Sequence, residues 1–363
     1  MMFDLPLPTL MGLLGLACGI VLGLTARTAR FCTFGAIEDA RLGNDWRRLR
    51  SWGVAIVVAI IGAQSLQYFG VLDLNASVHL RPELTWLSLI LGGLVFGFGM
   101  AQVGTCPFGA LVRFGTGDLR AFVTLMVIGI TGYMTLRGIT AYFRFFILDQ
   151  VNIDMVDRGA QSLPVLMGIT DANGTYGVAI AIAALLLIWV IKDPEFWKSK
   201  RYLVSGCIIG LTITFGWFAT GYLGQDEFDP QTLVSIGFVG SLSNGLVYLM
   251  TYSGATINFS IATVGGVIIG SLIGSLIKKE FKIEAFDDSR EMSRYLIGAA
   301  MMGIGGITAL GCTLGQGVTG LSTLSIGSII ACGSIAVGAV FGLHYLLEDN
   351  WKETLLAIFN PRQ

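Results

Sequence analysis

The chain has 363 residues, of which 54% are hydrophobic and only 13% charged, and its mean hydropathy is +0.73. Apolar runs of about 20 residues, each long enough to cross a bilayer, recur through it and leave no stretch for a soluble domain; residues 1–363 are expected to form one all-α polytopic membrane domain. A net charge of −1 gives no argument for a nucleic-acid partner, and none is expected; six cysteines without C-x-x-C spacing, beside only two histidines, argue against a zinc site or dithiol redox motif, so no cofactor is expected.

The first predicted span covers residues 8–26. No Lys or Arg precedes it, so it lacks the basic start of a secretory signal and is expected to be retained. Cys18 lies inside this run, as Cys207 and Cys332 lie inside later ones, and these three read as packing residues. Beyond the span comes Thr28-Ala29-Arg30-Phe31-Cys32-Thr33-Phe34-Gly35, where a helix break would bring Cys32 toward the axis. Glu38 and Asp39 follow, but the basic run Arg41, Arg47, Arg48 and Arg50 comes next, so the two carboxylates read as a solvated loop rather than a proton relay. A second span is expected at 51–72, then an outer loop holding His79, to which no chemistry is assigned.

The third span, 85–105, begins with closely spaced glycines and runs into Gly104-Thr105-Cys106-Pro107, followed by Gly109 and Arg113. Proline is favoured at the first position of a helix and pushes the residue before it out of helical geometry, so Pro107 marks a new helix with Cys106 at its cap. Free backbone N–H groups of that first turn, aided by the helix dipole, make an anion-attracting spot beside the thiol. An average buried cysteine is a small hydrophobe filling a gap. Here the break, the glycines and the repeat described below favour a functional thiol.

Further spans are predicted at 121–148, 175–191, 202–223, 232–252, 259–277, 294–311 and 321–347. Basic residues gather at 41–50, 192–201 and 278–294, which the positive-inside rule places in the cytoplasm, and the loops between them face outward, putting the N-terminus outside. Two simple crossings at 232–252 and 259–277 would strand Lys278, Lys279 and Lys282 on the wrong side. One of the two is therefore expected to enter and leave on the same side, with a break at 253–260, giving about nine crossings plus short broken or re-entrant helices.

Gly97, Gly99, Cys106 and Gly109 share their register with Gly303, Gly305, Cys312 and Gly315. The two copies run in opposite directions, as in an inverted-repeat transporter with discontinuous helices meeting near the midplane, and the halves are placed at about 8–148 and 202–347. A weaker echo pairs Phe31-Cys32 with Phe259-Ser260. Cys312, in Gly311-Cys312-Thr313-Leu314-Gly315-Gln316-Gly317, is read like Cys106. Three thiols in separate glycine-flanked breaks suit a path better than a reaction centre, because conduction needs several weak sites. Arg30 and Arg113 are placed to draw an anion to the mouth or to anchor at the headgroups.

The motifs Arg30-Phe31-Cys32, Gly104-Thr105-Cys106 and Gly311-Cys312-Thr313-Leu314-Gly315-Gln316-Gly317 resemble those of the YeeE/YedE family of sulfur-compound transporters. The resemblance implies a bacterial inner-membrane protein of hourglass shape with short helices dipping to its centre. It implies uptake of thiosulfate relayed by S–H hydrogen bonds from Cys32, Cys106 and Cys312, with Arg30, Thr105, Pro107, Gly109, Arg113, Thr313 and Gly315 in support. Some relatives act with a small TusA-like sulfur-carrier protein, and others are associated with selenium. Departures are Gly104-Thr105-Cys106-Pro107 where the family often has Gly-Gly-Cys, and a long outer loop at 149–174; both bear on which sulfur species is carried. The rival from another class is a membrane thiol or persulfide oxidoreductase, which would want paired cysteines.

Overall fold

The computed structural model describes residues 6–155, 160–225 and 232–348. It is almost wholly helical. In chain order the helices are α1 (Leu7–Ala29), α2 (Thr33–Leu42), α3 (Arg47–Tyr68), α4 (Trp86–Val103), α5 (Pro107–Gly115), α6 (Leu119–Arg137) and α7 (Ile139–Phe143). There follow α8 (Leu163–Leu166), α9 (Ala172–Ile191), α10 (Pro194–Lys198), α11 (Lys200–Phe218), α12 (Val239–Met250), α13 (Phe259–Ile277), α14 (Ser289–Thr308) and α15 (Ile326–Glu348). Between α14 and α15 lies a further short helix, residues 313–322, wound as a π-helix over Gly315–Gly320. The strands are two residues each, β1 (Glu83–Leu84) pairing antiparallel with β2 (Ile153–Asp154).

Among the described residues, eight helices are long and apolar enough to cross a membrane. The ninth long helix, α14, starts with Ser289, Arg290 and Glu291, which lowers its average hydropathy, but it packs along α4 and α6 like the others. Side-chain links at the helix ends sort them onto two faces. On the basic face Arg27 at the end of α1 pairs with Glu280 beyond α13 (2.6 Å), Ser51 of α3 donates to the Tyr202 carbonyl of α11 (2.7 Å), and Arg120 of α6 meets Glu284 (2.6 Å). On the opposite face Tyr68 at the end of α3 donates to Asn173 of α9 (3.0 Å), and Ser325 before α15 donates to the His79 carbonyl (2.7 Å).

The run at 232–252 does not cross. Thr220, just beyond α11, donates to the Val234 carbonyl (2.6 Å), so the chain enters α12 on the face where α11 ends. Twelve residues of helix reach about 18 Å, too short for a bilayer core. The chain turns back at Tyr252–Gly254 and begins α13 on the same side, which restores the parity the basic loops demand. The run at 121–148 divides as well: α6 stops at Arg137, Gly138 turns the chain, and α7 with the π-helix Arg144–Leu148 continues apart from it.

The order long, short, long, long, short, long occurs twice, first from α1 to α6 and again from α11 to α15. The packing partners exchange as a two-fold requires. α1 lies along α13 while α11 lies along α3; α4 lies along α15 while α14 lies along α6; α1 meets α11 and α4 meets α14 across the axis. Because the first half starts on the face opposite the basic loops and the second starts on the basic face, the repeat is inverted. α9 stands outside it and packs on α3.

Close contact between the long helices comes from small residues. A Cβ at Gly15, Gly19 or Gly23 of α1 would lie 2.2–2.3 Å from the carbonyl oxygens of Phe259, Thr263 and Val267 on α13. In a bilayer, where apolar burial drives little, backbones this close supply the dispersion contacts and Cα–H···O bonds that hold helices together.

Candidate functional site

Each of the three motif cysteines sits in the same local turn. A long helix ends in a residue of left-handed backbone, one residue intervenes, and the cysteine caps a short helix. The left-handed residues are Arg30 (φ 54°), Gly104 (φ 72°) and Leu310 (φ 56°). Glycine adopts this geometry freely, whereas Arg30 and Leu310 hold it at a cost of about 1–2 kcal/mol each, supplied by the surrounding packing. The carbonyls of Cys32, Cys106 and Cys312 accept the N–H groups of Ala36 (3.0 Å), Ala110 (2.8 Å) and Gln316 (2.7 Å), which starts each short helix. The thiol sulfurs of Cys106 and Cys312 accept from the N–H of Gly109 and Gly315, both at 3.4 Å. Pro107 is the first residue of α5, as its chemistry dictates.

The three caps converge. Cys106 and Cys312 are each 1% exposed, and Cys32 is half-buried. The Cys32 sulfur lies 3.9 Å from Thr105 Oγ1. Thr33 Oγ1 donates to Thr313 Oγ1 (3.0 Å) and reaches the Cys106 sulfur (3.9 Å). The centre is thus made of three cysteine–threonine neighbours, Cys32-Thr33, Thr105-Cys106 and Cys312-Thr313, on three helix N-termini whose partial positive charges point inward together. Thr33 carries no sequence signal except its place beside Cys32, a cue that Cys312-Thr313 repeats.

Gly109 shows why glycine belongs three residues after the cysteine. A Cβ there would lie 2.2 Å from Thr105 Oγ1 and 3.6 Å from the Cys32 sulfur. In the other half a Cβ at Gly315 would lie 3.7 Å from the sulfur of Cys312, its own cap, and 3.4 Å from the Cα of Gly237. Gly237, just before α12, therefore occupies the place that Cys32 holds before α2. The echo of Phe31-Cys32 in Phe259-Ser260 does not hold, because Phe259 opens the long helix α13 rather than a short one.

Arg30 and Arg113 lie on the basic side of this centre. The Arg30 side chain is exposed and its carbonyl accepts from Arg48 (3.0 Å), while Arg113 donates to the Gly104 carbonyl (3.2 Å) at the end of α4. Arg113 also lines a cavity of about 390 Å³ with Glu38, Gln102 and Arg294, open toward the basic face. From the opposite face a cavity of about 420 Å³ runs down to Gly311 and Gly315 beside Cys312, lined by His79, Arg81, Arg144, Asn244, Asn258 and Thr319. His79 is buried there rather than lying in a solvated loop. Burial pushes its imidazole down to about 4.

The sequence profile described as sulphur transport matches residues 28–341. Among similar proteins, the thiosulfate transporter TsuA of Escherichia coli (strain K12) is 24% identical, the match covering 96% of this chain and 95% of that protein. The thiosulfate transporter TsuA of Spirochaeta thermophila is also 24% identical, over 87% of this chain and 93% of its own length. With a profile match over most of its length, and the three cysteine motifs in place, the chain belongs to the sulphur-transport family, a group of multi-pass membrane proteins to which the YeeE/YedE transporters belong.

Proposed function

We propose that this protein imports a small sulfur-containing anion, thiosulfate first, across the bacterial inner membrane, with its N-terminus outside, through two inverted halves at about 8–148 and 202–347. The observation that supports this reading is the meeting of three cysteine-capped helix N-termini between two cavities that open to opposite faces. The outer cavity gathers the anion at Arg81 and Arg144. Cys312, Cys106 and Cys32 then pass it inward. A thiol is a weak donor and a soft acceptor, so it holds a sulfur anion without trapping it. Thr105, Thr313 and Thr33 add hydroxyl donors, Gly109 and Gly315 leave room for the anion to pass, Pro107 fixes the start of α5, and Arg30 and Arg113 receive the anion at the basic face. A small TusA-like carrier docking on that face would be its acceptor.

Uptake of labelled thiosulfate into proteoliposomes tests this. Removing one hydrogen bond to a charged partner costs about 1.5–3 kcal/mol, so Cys106→Ala is expected to lower the rate roughly 10- to 100-fold. Unchanged uptake in Cys32→Ala, Cys106→Ala and Cys312→Ala alike would sink the relay. The gathering of Cys32 and Cys106 at one centre, beside Thr105 and Thr33, favours the oxidoreductase alternative; turnover of a thiol dye by the purified protein, lost in Cys32→Ser, would select it.

A further inference from the structure

His79 belongs to no motif, yet it forms part of the outer cavity wall and is 9% exposed. Its Nδ1 is buried without a hydrogen-bond partner, and so is Oε1 of Gln161. The two residues line one small inner recess together with Gln316, Ser325 and Ser328. A neutral imidazole protonated on Nε2 offers this recess an acceptor beside another acceptor. A proton on Nδ1 would turn the pair into donor and acceptor.

The groups around the ring come from several elements. α11 presents Trp217, edge-on at 6.4 Å between ring centroids, α4 presents Leu89 with Thr85 before it, and the short helix 313–322 presents Gln316. The start of α15 brings Ser325 and Ser328, and the stretch before α8 brings Gln161. Across the outer cavity stand Arg81, two residues on in the same loop, and Arg144 beyond α7, the latter paired with Asp149 at 3.2 Å. Among the described residues that line the cavity, the ionisable ones besides His79 are thus two cations. With the cavity empty of anion, burial holds the ring neutral, and a dianion in the same cavity works against that.

Resting on the transport reading above, we propose that His79 is a proton acceptor linked to capture: the outer cavity takes a proton from the outer solution onto this imidazole when a sulfur dianion settles against Arg81 and Arg144. The proton returns to the outer solution when the anion moves on to the thiols. Linkage is reciprocal, so acidification tightens anion binding by the same factor by which the anion favours protonation.

Thiosulfate suits the test because it binds no proton itself near neutral pH. Labelled thiosulfate binding and proton uptake are measured on the same sample of purified full-length protein, weakly buffered at pH 6 with an indicator dye. The expected result is uptake approaching one proton per bound anion, with affinity rising up to about tenfold per unit of falling pH. His79→Gln and His79→Asn, of which either that folds suffices, are expected to bind more weakly, without proton uptake and with affinity flat between pH 6 and 8. Binding to the native protein without proton uptake, or equal uptake in the variants, overturns the linkage and leaves the transport reading standing. Failure of thiosulfate to bind at any pH overturns both.

Discussion

Thr33 stands where the cysteine caps meet, with its hydroxyl bonded to Thr313 and close to the Cys106 sulfur. A buried neutral hydrogen bond contributes about 1 kcal/mol, so Thr33→Val, which keeps the shape and removes the donor, is expected to slow uptake roughly fivefold. Thr33→Ser should stay near the native rate. Native-like transport by the valine variant would show that the hydroxyl is incidental. The cysteines of this centre were legible in the sequence because proline and glycine punctuate the chain beside two of them. Thr33 was not, because a threonine next to a cysteine has no chemical signature until two other caps are brought against it. His79 was hidden for the opposite reason: a histidine in a loop between two spans reads as solvated, and only the packing of α11 and α15 buries it.

At the scale of elements, α1 and α13 are joined through glycine faces that leave no room for a side chain. Gly19→Val would drive a branched side chain into the Thr263 carbonyl, 2.3 Å from where its Cβ must lie. The expected loss is roughly 3 kcal/mol, read as a lowered midpoint of thermal unfolding in detergent. Gly333→Ala in α15, where nothing lies within 4 Å, is the control and should be neutral. Equal midpoints for the two variants would mean that the α1–α13 contact is looser than described. Hydropathy found the long helices but misjudged two of their edges. The stretch 139–148 stays apolar after Gly138 has turned the chain, and 232–252 is apolar enough to span but has only twelve helical residues in its core. Apolarity reports immersion in lipid or protein, not the direction of the backbone. Charge on the flanking loops supplied that direction, and so exposed the false crossing.

For the whole molecule, nine long helices place the two ends of the described chain on opposite faces. A membrane-impermeant maleimide should label Asn75→Cys in intact cells, in a background without the native cysteines, and label Lys200→Cys only after the membrane is opened. The reverse pattern would invert the molecule and with it the direction of transport. The inverted repeat itself was half legible. The matching cysteine motifs gave one pair of short helices, whereas the second pair, α2 and α12, had diverged to Cys32 against Gly237 and is recognised only from their equivalent positions.

The helix outside the repeat, α9, follows from arithmetic. Each half contains four long helices, α1, α3, α4 and α6 in the first and α11, α13, α14 and α15 in the second. Four crossings return a chain to the side it left, so two halves joined directly would insert in the same sense and stack as parallel copies. One more crossing turns the second copy over. Tandem duplication of a four-helix ancestor could not by itself have produced this protein. Either a helix such as α9 was gained between the copies, or the ancestor was a separate subunit able to insert both ways up before the two were fused.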